Sequence, residues 1–292
     1  MQQVEEKWSE FDASTVIQLL IRHCPALEVP HIFSDFHNLR GIKVYNTTII
    51  DWSESAAVTN TNHPNVATLY IARVNMTDGL LPAGFQSSDF PQTLNDIEMC
   101  VTNLRELPSD LDAKWQEGAV IQVEYSELTS VPLVLARLAP FYLYLTGNPM
   151  SELPPEIFGI GDMVYLGVGD MDISQLPPNV TNVSPSLSVV VIDNTNISFF
   201  WSWVDELVGR AVDPAVLLAG GSSYCENLKQ NTTPSFPPQY STLLMNSSEA
   251  NPQVVNCNYI SDGPYYPLHF DDSINAISTP PPLKARRQQS ST

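Results

Sequence analysis

The chain has 292 residues, 43% of them hydrophobic, room for one large domain or two small ones with a substantial core. Its 32 acidic residues outnumber 13 basic ones, giving a formal charge of −19. That balance disfavours nucleic acid and anionic membrane surfaces, since both demand a basic face.

From the N-terminus, MQQVEEKWSEF is acidic and lacks the apolar stretch of a signal peptide. No run of about 18 apolar residues follows, so no membrane-spanning helix is expected. The chain is therefore read as cytosolic, or as a piece whose targeting segment lies elsewhere. Residues 1–15 form a flank. Within FDASTVIQLLIRHC, Asp12 or Ser14 could cap a short helix, but the stretch also fits a strand. A capping element that mimics a repeat is expected here.

A recurring pattern then begins, with the template L-x-x-L-x-L-x-x-N-x-L-x-x-L. The first unit holds Val16, Leu19, Ile21, Cys24, Ala26 and Val29, the second Leu39, Ile42, Val44, Thr47, Ile49 and Trp52. Equivalent units follow around Leu69 and Ile71, Ile97 and Met99, Ile121 and Val123, Leu143 and Leu145, Leu166 and Val168, and Val190 and Ile192. An incomplete last unit places Leu218 in the strand and Gly220-Gly221 in the turn. The distance between successive third-strand positions runs from 22 (Val123 to Leu145) to 28 (Ile71 to Met99), as in repeats with variable outer loops. Proline follows the last template position at Pro30, Pro108, Pro132, Pro154 and Pro177. No single unit can bury its apolar face alone, so the units must stack around one continuous core.

Across roughly residues 16 to 225 this series resembles the leucine-rich repeat family. The resemblance implies an α/β solenoid: a curved horseshoe with a parallel concave sheet and an irregular or short-helical convex side. It also implies that the asparagine-slot side chain turns inward and bonds backbone groups of its own and neighbouring turns. Asn148 fills that slot, and Thr47, Thr102, Ser126 and Thr195 can do part of its work. Cys24, a residue the family also accepts, fills the first slot. Val74 and Met171 cannot bond this way, so their turns are expected to be looser or differently bonded. The solenoid is taken as residues 16–224, a C-terminal cap as 225–260, and a disordered tail as 261–292 from its proline, serine and charge without periodicity.

Cys225 and Cys257 flank the cap and are expected to pair, with Cys24 a buried free thiol and Cys100 on the open strand face. Four cysteines without close pairs do not read as a zinc site. Glycosylation sequons begin at Asn46, Asn75, Asn179, Asn182, Asn196, Asn231 and Asn246, whereas chance would supply about three. Together with one disulfide, they favour an extracellular or cell-surface location over the cytoplasm. GIGDMVYLGVGD carries two G-x-G pairs, but Gly167 and Gly169 alternate with Leu166 and Val168 inside a repeat strand, unlike a dinucleotide loop. HFDD, His269 to Asp272, reads as a solvated acidic run rather than a metal site. No catalytic constellation, cofactor or metal site is expected.

Function should then lie on the strand residues between the buried positions. They run from basic and aromatic (Lys43, Tyr45, Tyr70, Arg73) through acidic (Glu98, Glu124, with Tyr125) to Tyr144 and a small-residue end at Gly167 and Gly169. Tyrosine and arginine are common interface anchors, though tyrosine also simply favours strands. The expected partner-binding set is Tyr45, Tyr70, Arg73, Glu98, Glu124, Tyr125 and Tyr144. The sequence thus points to recognition of a protein or peptide ligand by an extracellular, receptor-like repeat domain. The alternatives are an intracellular adaptor or a secreted inhibitor of an enzyme.

Overall fold

The computed structural model describes residues 2–10, 12–212, 214–232, 235–245 and 253–274. Its strands are β1 (Gln18–Arg22), β2 (Leu27–Glu28), β3 (Gly41–Asp51), β4 (Thr68–Met76), β5 (Asp96–Cys100), β6 (Val120–Glu124), β7 (Tyr142–Tyr144), β8 (Tyr165–Gly167), β9 (Val189–Val191), β10 (Val216–Leu218) and β11 (Val255–Asn256). They form one open parallel sheet in the order β1-β3-β4-β5-β6-β7-β8-β9-β10-β11, with β2 beside β3. Each repeat therefore adds one strand next to the last, as stacking around a shared core requires.

The pairing register follows the repeat template. Leu19 lies opposite Ile42, and the row continues through Leu69, Ile97, Ile121, Leu143, Leu166, Val190 and Leu217. All of these residues are buried in one core. A one-residue slip would turn a whole strand's apolar set to the other face, so this continuous row fixes the register. The last repeat differs from the sequence reading by one position. Leu217 and Ala219 point inward, while Leu218 is half-exposed. The reading aligned on the larger aliphatic side chain, whereas the inward position is filled by the small Ala219.

Short 3-10 turns carry most repeats back on the convex side: His31–Asp35, Glu54–Ala56, Ala83–Phe85, Leu111–Ala113 and Pro155–Gly159, with a single-turn helix at Val134–Arg137 in place of one and no helical turn between β8 and β9. Pro30 and Pro154 stand immediately before two of them, where a fixed φ and a missing N–H suit the entry to a turn. Phe33, Trp52 and Phe85 stack through this layer, with ring centroids 5.4 and 4.5 Å apart.

The slot column behaves as a polar ladder. Asn148 accepts from the Leu128 amide at 3.2 Å and donates to the carbonyls of Val123 and Leu145 at 2.6 and 2.7 Å. Thr102 and Ser126 bond each other at 2.8 Å, Thr195 donates to the Ile192 carbonyl, and Thr47 donates to the Tyr45 carbonyl. Val74 leaves its turn without such a group. Asn103, one residue beyond its own slot, fills in by accepting from the Met76 amide and donating to the Met76 carbonyl. Cys24 is half-exposed rather than buried, because its repeat is the edge of the sheet with no repeat stacked outside it.

Helix α1 (Gln2–Ser9) precedes a 3-10 turn at Ala13–Thr15, where Asp12 accepts from the Ser14 amide. A helical cap and a strand in register with β3 thus coexist at this end. Helices α2 (Val134–Arg137), α3 (Val204–Val208), α4 (Ser223–Lys229) and α5 (Thr242–Met245) follow in the chain. The last three build the C-terminal end. Cys225 on α4 is bonded to Cys257, and the Tyr224 hydroxyl donates to the Leu244 carbonyl of α5 at 3.0 Å. Helix α6 (Leu268–Ile274) closes the described chain. No helix among the described residues is long and apolar enough to cross a membrane.

Candidate functional site

Strand alternation places Arg22, Lys43, Tyr45, Tyr70, Ala72, Glu98, Cys100, Gln122, Glu124 and Tyr144 on the face opposite the core. Each repeat then ends in a residue with positive φ just before the slot: His23, Asn46, Arg73, Val101, Tyr125, Gly147, Asp170, Asn194 and Gly221. This left-handed step costs a non-glycine residue about 1–2 kcal/mol, and Val101, being β-branched, is its least expected occupant.

The face is not open to solvent. Residues 261–272, expected as the beginning of a disordered tail, lie across it. Residues 275–292 fall outside the described residues. As a result Tyr45, Cys100 and Glu124 are 1%, 0% and 1% exposed. Tyr266 is 3% exposed and, with Leu268, joins Tyr45, Ala72 and Cys100 in an apolar cluster separate from the solenoid core. Its ring meets Tyr70 edge-on at 6.2 Å, and the Lys43 ammonium sits 5.4 Å from its centroid.

Polar contacts fix the segment along its length. Ser261 donates through its amide and hydroxyl to Asp193 at 2.8 and 3.0 Å. The Glu124 carboxylate accepts from the Tyr265 amide at 2.9 Å and the Tyr266 amide at 3.4 Å. Tyr265 stacks on Tyr144 at 4.8 Å. Asp271 accepts from the Tyr266 hydroxyl and pairs with Arg22 and Lys43 at 3.2 and 2.8 Å. Asp272 pairs with Arg73 at 3.2 Å and accepts from the Tyr45 hydroxyl. The acidic half of the HFDD run is therefore not a solvated one: both aspartates meet bases from the first three repeats.

Burial dominates the electrostatics. It pushes Glu124 up to about 7 against the opposing pull of the Tyr266 and Tyr265 amides and the Thr146 hydroxyl. Burial, then the Asp96 and Glu124 charges, also raise Glu98. The Cys100 thiol rises for the same reasons, burial first and then Glu124 and Glu98. Burial and the hydrogen bond to Asp272 raise the Tyr45 hydroxyl.

Of the residues singled out from the sequence, Tyr45, Tyr70, Arg73, Glu124 and Tyr144 touch the segment, and Glu98 lies near enough to act on the Tyr266 hydroxyl electrostatically. Tyr125 serves the turns instead. Its hydroxyl donates to Asp170 at 2.6 Å, and its ring fills the space where a Gly147 side chain would stand. Gly169 likewise makes room for the Asp193 carboxylate rather than opening the face. Arg22 and the segment's own Tyr265, Tyr266, Asp271 and Asp272 were missed. A basic residue in each of the first three units, at Arg22, Lys43 and Arg73, in so acidic a chain was the available signal.

A cavity of about 590 Å³ remains between the segment and Tyr144, Thr146, Tyr165 and Val191.

No protein-family model and no curated protein matches this chain. Among solved structures it is similar to a leucine-rich repeat protein of Leptospira interrogans, at 16% identity and a TM-score of 0.46, covering 70% of this chain and 54% of that one. It is also similar to a plant ice-binding protein, at 18% identity and a TM-score of 0.49, covering 70% and 65%. The chain thus spans about half to two thirds of the length of these structures. With one parallel strand per repeat, a shared inward row and a polar slot ladder, the fold is a leucine-rich-repeat-like solenoid.

Proposed function

We propose that the concave face recognises a protein or peptide, and that the chain works as the extracellular part of a receptor-like protein or as a secreted relative. One observation carries the first half: the face already seats a polypeptide, residues 261–272, through an aromatic pocket, two backbone bonds to Glu124 and three ion pairs. Main-chain bonds for affinity and pockets for side-chain choice are recurring elements of peptide recognition. The second half draws on the Cys225–Cys257 bond. It also draws on the exposed sequon residues Asn75, Asn179, Asn182, Asn196 and Asn231. Asn46 is half-buried with its side-chain amide on the His23 ring at 2.7 Å, and is the poorest glycan acceptor of the described six. Asn246 lies outside the described residues.

Lys43→Glu with Arg73→Glu should weaken a native partner tenfold or more, whereas Glu156→Lys with Asp162→Lys on the convex side should leave binding within about twofold. Titration of a purified partner against both variants checks this. Binding that survives the concave pair and is lost with the convex pair would overturn the reading. Glycan mapping on secreted material tests the location, and unmodified asparagines at all of these sites would count against it.

A further inference from the structure

The segment on the face carries more information than the fact of its presence. It reads Tyr265-Tyr266 and then, five residues on from Tyr266, Asp271-Asp272. Each half of that pattern has a counterpart built into the sheet. The aromatic half enters the pocket of Tyr45, Tyr70, Ala72 and Cys100 while its backbone is held by Glu124. The acidic half meets Arg22, Lys43 and Arg73. Bringing three of only 13 bases together in a chain of charge −19 is a specific arrangement, and charge complementarity of this kind selects partners.

Resting on the reading of the face as a recognition surface, we propose that its ligands are acidic, tyrosine-bearing peptides, and that residues 261–272 are a resident copy which such a ligand displaces.

Three features make displacement feasible. The segment's apolar cluster is separate from the solenoid core, so lifting it leaves that core intact. Much of the segment is poorly covered: Tyr265 is 64% exposed and Phe270 is also exposed. Finally, the resident segment under-uses its anchors. Among the described residues the Nε groups of Arg22 and Arg73 are buried without a hydrogen-bond partner, and Arg22 meets Asp271 and Arg73 meets Asp272 through Nη2. A carboxylate that engages an arginine fork at two points binds more tightly than one held at a single point. A partner peptide that did so would gain what the resident copy leaves unmade. The tether nevertheless gives the resident copy a high effective concentration, so a free peptide should bind the intact chain weakly and a chain with its own segment released strongly.

The test uses the full chain with Tyr266→Ala, Asp271→Asn and Asp272→Asn, alongside the unaltered chain. The probe is a fluorophore-labelled peptide of residues 261–274, read by anisotropy. The released chain should bind it at least tenfold more tightly than the intact chain does. A peptide with both aspartates changed to asparagine should bind at least tenfold more weakly, and Arg73→Glu in the released chain should abolish binding. Equal binding of the acidic and amidated peptides would overturn the proposal, as would no binding to a released chain that still melts cooperatively. If the released chain does not fold, amide exchange in the intact chain decides. Excess acidic peptide should speed exchange at Tyr265 and Tyr266, and no acceleration, or the same acceleration with the amidated peptide, overturns the proposal. A native partner that is lost on the concave substitutions yet indifferent to excess 261–274 peptide defeats this inference and leaves the general reading standing. A partner indifferent to the concave substitutions defeats the general reading itself.

Discussion

The two layers of side chains on either side of the sheet are held in opposite ways. On the inner side, Ile42, Leu69, Ile97 and Ile121 meet equivalent residues one repeat away, in an apolar core closed by convex turns. On the outer side, Tyr45, Cys100 and Glu124 are just as buried, but by a distant stretch of chain: the contacts of Arg22 with Asp271 and of Glu124 with Tyr265 span 249 and 141 residues. The inner layer repeats one local solution and derives its stability from apolar burial. The outer layer is a single non-repeating assembly of ion pairs, hydrogen bonds and one aromatic pocket. Equal burial therefore does not mean equal permanence, because the outer layer can open without exposing the core.

The largest effect expected from breaking this contrast lies in the inner ladder. Asn148→Leu orphans the Leu128 amide and the Val123 and Leu145 carbonyls together, and should cost about 3 kcal/mol of unfolding free energy. Thr195→Val, which frees a single carbonyl, should cost about 1 kcal/mol. Urea melts of both variants check the order, and a melt of Asn148→Leu matching that of the parent would refute the slot's role.

A smaller effect sharpens the outer layer. Burial raises Glu124 from 4.5 to about 7 in the folded chain. A group raised in this way contributes stability that is complete below its unfolded value and is lost as pH rises through its folded one. Unfolding free energy should therefore fall from pH 5 to pH 8, by about 2 kcal/mol more in the parent than in Glu124→Gln. Parallel pH profiles would show that Glu124 is not buried beneath Tyr265 and Tyr266.

The inner layer was legible in the sequence because its rule is periodic. Eight template matches marked which residues point inward, and two places slipped by one: the last strand, where Ala219 replaces a large aliphatic residue, and the first unit, where Leu27 and not Ala26 is buried opposite Ile49. The Asn103 substitution for Val74's missing bond was not legible, since Asn103 stands one place off the template. The left-handed column was partly visible in His23, Asn46, Gly147, Asp170, Asn194 and Gly221, residue types that tolerate positive φ, but Arg73, Val101 and Tyr125 concealed it. The outer layer was legible only on its sheet side. SDGPYYPLHFDD has no periodicity, and its composition alone resembles a solvated tail. Its docking depends on partners from 68 to 249 residues away, as the Asp193 and Arg22 contacts show, and composition does not encode such distances.

The central claim is that residues 261–272 cover the concave face in the folded protein, and Cys100 reports on it directly. Its thiol is enclosed by Tyr266 and Leu268, while Cys24, the other free thiol, is half-exposed. In the unaltered folded chain, a small thiol reagent should modify Cys24 roughly a hundredfold faster than Cys100, and Tyr266→Ala should erase most of that difference without lowering the melting temperature of the solenoid. Equal labelling of Cys24 and Cys100 in the unaltered folded chain would contradict the account.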